Sequence, residues 1–179
     1  MVLEGSYLLR HLVEEHWVRV VAYKRLKASQ YYPFVVFHTP KMSIVINGEA
    51  HMSEPGCDVF SLKIAEFDSG KWESELKIAS SSSGSRLDVA ATGANRSIEI
   101  LYKGPRCVRF FTSSDFIDPM LHTRESVLMR CVAVEFFVEG APDARLLVAE
   151  EGSAVSLAIG QDCEDHIRDY YSVYHPPGF

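Results

Sequence analysis

Alternation of apolar and polar residues at period two recurs along most of the chain, and it restricts the fold more than any motif does. Phe60, Leu62 and Ile64 alternate with Ser61, Lys63 and Ala65. After Asp68-Ser69-Gly70, the residues Trp72, Ser74, Leu76 and Ile78 alternate with Glu73, Glu75, Lys77 and Ala79. Such runs are strands with one wet face, and a glycine that accepts φ > 0 between them predicts a β-hairpin. Leu87-x-Val89-x-Ala91, Ile98-x-Ile100-x-Tyr102 and Val108-x-Phe110 continue the pattern, separated by Thr92-Gly93-Ala94-Asn95-Arg96 and by Lys103-Gly104-Pro105, so a meander is expected there. Val18 to Tyr23, Tyr32 to His38 and Met42 to Ile46 read as earlier strands, the last turning at Asn47-Gly48. Leu146 to Ala149 and Val155 to Ile159 read as a final hairpin across Glu150-Glu151-Gly152-Ser153.

Val127 to Val138 is apolar on both faces apart from Arg130 and Glu135, which predicts a strand covered on both sides. Two segments carry helical spacing instead. Leu8/Leu9, Leu12/Val13 and His16/Trp17 fall at steps of four behind Ser6, and a short helix is expected over residues 6–16. Cys163, Ile167, Tyr170 and Tyr174 form one apolar stripe, with Asp162 as a cap, Glu164 set to pair with Arg168, and Pro176-Pro177 as the stop. The Ser80-Ser81-Ser82-Ser83-Gly84-Ser85 run reads as a hairpin loop. Residues 1–179 are thus expected to form a single β-rich domain: an antiparallel β-sandwich or flattened barrel of roughly 8 to 11 strands with short N- and C-terminal helices. A pleckstrin-like roll closed by the C-terminal helix is the alternative.

Charge and cysteine usage narrow the partners. Eighteen Lys and Arg against 24 Asp and Glu give −6, a balance that repels a phosphate backbone, and the densest basic patch, Lys24-Arg25-x-Lys27, is too short to reverse it. Nucleic acid is therefore not an expected partner. No apolar stretch approaches the roughly 20 residues that span a bilayer, so no membrane contact is expected either. Cys57, Cys107, Cys131 and Cys163 form no CxxC pair. With no basic n-region or apolar signal stretch after Met1, they read as reduced, buried thiols of an intracellular, cytoplasmic protein.

Catalytic patterns are missing. His11 and His16 frame Leu12-Val13-Glu14-Glu15, but a spacing of five turns them about 140° apart on a helix, which suits no zinc-peptidase motif. There is no Gly-x-Ser-x-Gly elbow and no phosphate-cradling glycine loop. Cys163 and His166 stand one helical turn apart, yet Cys163 lies on the apolar stripe, where a neutral thiol is expected. No metal, no cofactor and no catalytic residue is predicted.

The aromatic doublets are more informative. Tyr31-Tyr32, Phe110-Phe111, Phe136-Phe137 and Tyr170-Tyr171 are adjacent pairs, and neighbours on a strand face opposite sides. The outward ring needs cover from the chain or from a partner. Phe110, Phe111, Phe136 and Phe137, together with Ile167, Tyr170, Tyr174 and Phe179 in an aromatic tail, are therefore the candidate partner-binding residues. The expected function is a non-enzymatic protein-interaction or assembly subunit of an intracellular complex, with a protein partner or a second copy of the chain. The alternatives are a sandwich or barrel that binds a small apolar ligand or a carbohydrate, and an enzyme using dispersed acidic and histidine residues.

Overall fold

The computed structural model describes residues 3–23, 31–54, 57–68, 96–105, 107–113, 130–168 and 170–174. Their strands form two five-stranded antiparallel sheets, so the mainly β sandwich is the observed architecture. The first sheet holds β1 (Trp17–Tyr23), β2 (Phe34–His38), β3 (Ser43–Glu54), β4 (Cys57–Glu66) and β5 (Arg96–Lys103) in the order β4-β3-β2-β1-β5. The second holds β6 (Cys107–Thr112), β7 (Ala133–Val138), β8 (Ala141–Glu151), β9 (Ala154–Ile159) and β10 (Tyr171–Tyr174) in the order β10-β6-β7-β8-β9. Each sheet is thus a four-strand meander whose fifth strand returns to pair with the first.

Period two explains the packing. The inward set, Val18, Val20, Val35, Phe37, Ile44, Ile46, Leu62 and Ile64, meets Val108, Phe110, Val134, Phe136, Leu146, Val148 and Val155 in one continuous core. Phe37 and Phe136 bridge the sheets with ring centroids 5.1 Å apart. Burial of each large apolar side chain is worth roughly 1.5–3 kcal/mol. A single 3-10 turn (Ser6–Leu8) runs into α1 (Leu9–Glu14), whose Leu9 and Leu12 join the same core. Ser6 does not cap it; the preceding position is Gly5, without a side-chain bond.

Several expectations are corrected. Asn47-Gly48 is not a turn, since β3 runs on to Glu54 and Gly48 pairs with Leu62. A Cβ at Gly48 would stand 2.4 Å from the Gly152 carbonyl oxygen and 2.7 Å from that of Ala154, so the glycine serves the close passage of β3 past the β8–β9 turn. The step Lys103-Gly104-Pro105 does not close a meander hairpin, because β5 and β6 lie in different sheets. Nor is the pleckstrin-like roll observed. The C-terminal helix, α2 (Asp162–Ile167), has six residues and no side-chain cap, and the chain then extends as β10 against β6. The β-favouring residues Tyr171, Val173 and Tyr174 take a ladder there in place of helical turns. Of the doubly covered strand expected over Val127 to Val138, the described residues show Ala133–Val138 as a strand and a bridge at Arg130 before it. Hairpin residues 72–79, the serine run, strand 87–91 and residues 127–129 lie outside the described residues. The β8–β9 hairpin matches its prediction, with Gly152 in the turn donating its N–H to Glu150 Oε2 at 3.0 Å. Among the described residues no helix is long and apolar enough to cross a membrane.

Candidate functional site

The outer face of the second sheet carries a charged array inside an otherwise apolar surface. Arg109 on β6 pairs directly across the ladder with Glu135 on β7. Arg145 reaches the same carboxylate because of an irregularity in β8: Val138 pairs with Ala141, yet Phe137 pairs with Arg145, so Pro142, Asp143 and Ala144 are bulged out. Proline fits such a bulge because it has no ladder N–H to lose. The Tyr102 hydroxyl of the opposite sheet secures the bulge, donating toward the carbonyl oxygens of Phe136 at 2.9 Å and Ala144 at 2.6 Å. Burial raises its pKa, so it stays a donor. Gly140, at φ +73°, makes the tight turn between β7 and β8.

Glu135 is 1% exposed. Its Oε1 accepts from Arg145 Nε at 2.6 Å and faces Arg145 Nη2 at 2.5 Å. Arg145 Nη1 then donates to Glu164 on α2. Its guanidinium is lowered by burial and raised by its bonds to Glu164 and Glu135, with a net rise above the ordinary arginine value. The other oxygen of Glu135 is differently placed: Arg109 Nη1 stands 3.3 Å away, an ion-pair contact outside hydrogen-bond geometry, and Oε2 accepts no hydrogen bond. The Arg109 guanidinium also lies over the Phe137 ring, 5.0 Å from its centroid.

These groups line an open groove of about 460 Å³ whose wall continues through Glu139, Gly140, Pro142 and Glu164. Two arginines and three glutamates therefore face one hollow, leaving an excess of one negative charge. Burial and Glu139 hold the neighbouring Cys107 thiol above its ordinary range.

The rest of this outer face is closed by the chain itself. Phe111, Ala133, Leu147, Ala149 and Ala158 pack beneath Cys163, Ile167 and Tyr170. The interface expectation is corrected accordingly: Phe110 and Phe136 are buried between the sheets and Phe111 beneath the α2 segment, so these three rings have their cover within the chain. Ile167 and Tyr170 supply that cover. Phe137 alone of the four phenylalanines borders an open hollow. Tyr174 lies on β10 and not on a helix, and Phe179 is outside the described residues. The anticipated Glu164–Arg168 pair is replaced by Glu164–Arg145 and Arg168–Asp165.

Of the described cysteines, Cys107 is half-buried, so the expectation of buried thiols holds at two positions and not at the third. Cys131 and Cys163 are buried and free, their thiols pushed up by burial to about 12 and about 11. Cys163 is thus a neutral packing group at neutral pH, while His166 is exposed. Among the described residues no group of three His, Cys, Asp or Glu is placed to hold a metal ion. Sequence reading passed over Arg109 and Arg145, although Glu135 in an apolar strand was the signal that could have found them: a buried acid needs a cation beside it. No protein-family model matches the chain, and no curated protein or solved structure matches it significantly.

Proposed function

We propose that the protein is a non-enzymatic interaction or assembly subunit that engages another polypeptide through the outer face of its second sheet. One observation carries this reading: a fully buried carboxylate clamped by Arg145 and faced by Arg109 forms the floor of an open groove. A buried ionic array contributes little net stability compared with an apolar substitute. What it supplies at a surface is a fixed pattern of charge, and such patterns select partners and orient them. Phe137 and the rim glutamates place aromatic and charged groups side by side, the mixture found at protein interfaces.

The test is assembly in solution. Light scattering and cross-linking of the full chain at tens of micromolar, alone and in extract of its own cells, should show a mass above that of one chain. Glu164→Lys, which reverses a half-exposed rim charge, should weaken that association about tenfold or more, in the range of a close interfacial charge pair. A single-chain mass under both conditions overturns the proposal.

A further inference from the structure

We propose, building on that reading, that the groove between α2 and the β7–β8 turn receives a basic side chain of the partner polypeptide, a lysine ammonium or an arginine guanidinium. Three features of the groove specify a cation. The first is the unfilled oxygen: Glu135 Oε2 is buried and accepts no hydrogen bond, and an ionised acceptor shut away from water calls for a donor. The second is the place beside it. Arg109 already stations a cation over the Phe137 ring and 3.3 Å from Oε2, which marks that position as a cation seat. The chain's own guanidinium fills it without completing the hydrogen bond. The Arg109 side chain is one-third exposed, so it has room to turn outward when a better donor arrives.

The third feature is charge. Arg145 spends its Nε and Nη2 on Glu135 and its Nη1 on Glu164, which leaves it little to offer an incoming anion. Glu139 and Glu164 stand exposed on the rim, and Asp143 is exposed in the adjoining bulge. An acidic partner would meet these carboxylates before it reached Arg109, whereas a basic one is drawn inward by them. The incoming cation is then held by Oε2, by the ring face and by the rim, and Arg109 is displaced toward solvent.

This exchange makes an unusual demand of Arg109: it competes with the ligand. The experiment titrates the full chain with a short capped peptide of alternating lysine and glycine, and in parallel with its glutamate counterpart. The readout is the Nε–H resonance of Arg109 by nitrogen-15 NMR. The lysine peptide should shift that resonance saturably and the glutamate peptide should not. Arg109→Ala should tighten lysine-peptide binding by roughly twofold to fivefold, the worth of one exposed cation–π contact. Glu139→Gln combined with Glu164→Gln, both exposed positions, should weaken it and make it less sensitive to salt. Equal or stronger binding of the glutamate peptide, or weaker lysine binding in Arg109→Ala, overturns the cation seat. A protein that assembles but ignores the lysine peptide refutes this inference alone; a protein that never assembles refutes the interaction reading beneath it.

Discussion

On the outer face of the first sheet Val21, Val36 and Val45 lie opposite one another across three strands and are fully buried. Across three strands of the second sheet runs the row Arg109, Glu135 and Leu147. The first face keeps its charges where water reaches them: Arg19–Glu99 is about 40% exposed at 3.3 Å, and Lys63, whose hydrogen bond to Glu49 holds its ammonium above the ordinary lysine value, also touches Glu4. The second face takes a carboxylate fully out of water and surrounds it with arginine. Equivalent strand patterns thus produce one face sealed by apolar contact and one that opens into a polarised hollow. Burial depth, and not the number of charges, separates them.

The largest effect is expected from Glu135→Ala. Removing the acid leaves Arg145, 14% exposed, without the carboxylate that faces its Nε and Nη2, and breaking a buried pair costs about 3–5 kcal/mol. Urea unfolding of the full chain measures it, and a loss below about 1 kcal/mol would erase the distinction between the faces. A smaller loss, about 1–3 kcal/mol, is expected from Val36→Thr, which sets a hydroxyl among Phe34 and Val45 at nearly constant volume. A neutral result by the same measurement would mean that the first face is wet. The smallest change belongs to Glu99→Gln. Its exposed partner Arg19 is already solvated, so the shift should stay within about 0.5 kcal/mol and shrink further in high salt.

The strands were legible in the sequence because one-sided burial writes itself as period two. β4 and β5 show this directly: Leu62 and Ile64, like Ile100 and Tyr102, pack on the core, while Lys63 and Leu101 between them stay wetter. Which sheet a strand joins was not legible: Lys103-Gly104-Pro105 has the chemistry of a hairpin turn, and only the packing of β5 against β1 makes it a crossing between sheets. Asn47-Gly48 misled for the converse reason, since glycine serves close backbone approach as well as turning. At the groove, Glu135 was visible as an acid inside an apolar strand. Its partners were not, because Arg145 reaches it only through a three-residue bulge that no periodicity announces. The phenylalanine doublets gave the need for cover correctly but not its source, a six-residue helix and the segment after it.

The returning fifth strand of each sheet bears on how the chain finds its shape. Neighbouring strands of the meanders are joined by 2 to 20 residues, whereas Trp17 must wait for Lys103, roughly 85 residues away, and Thr112 for Tyr171, roughly 60 away. Loop closure over such distances has to precede its reward, and pairings of that separation place a protein among the millisecond-to-second folders. The meanders are therefore the natural early structures, and β5 and β10 the late arrivals. Until β10 docks, the β6 edge presents unpaired backbone groups to any other chain, so the slow step of folding is also the interval of greatest exposure to misassociation.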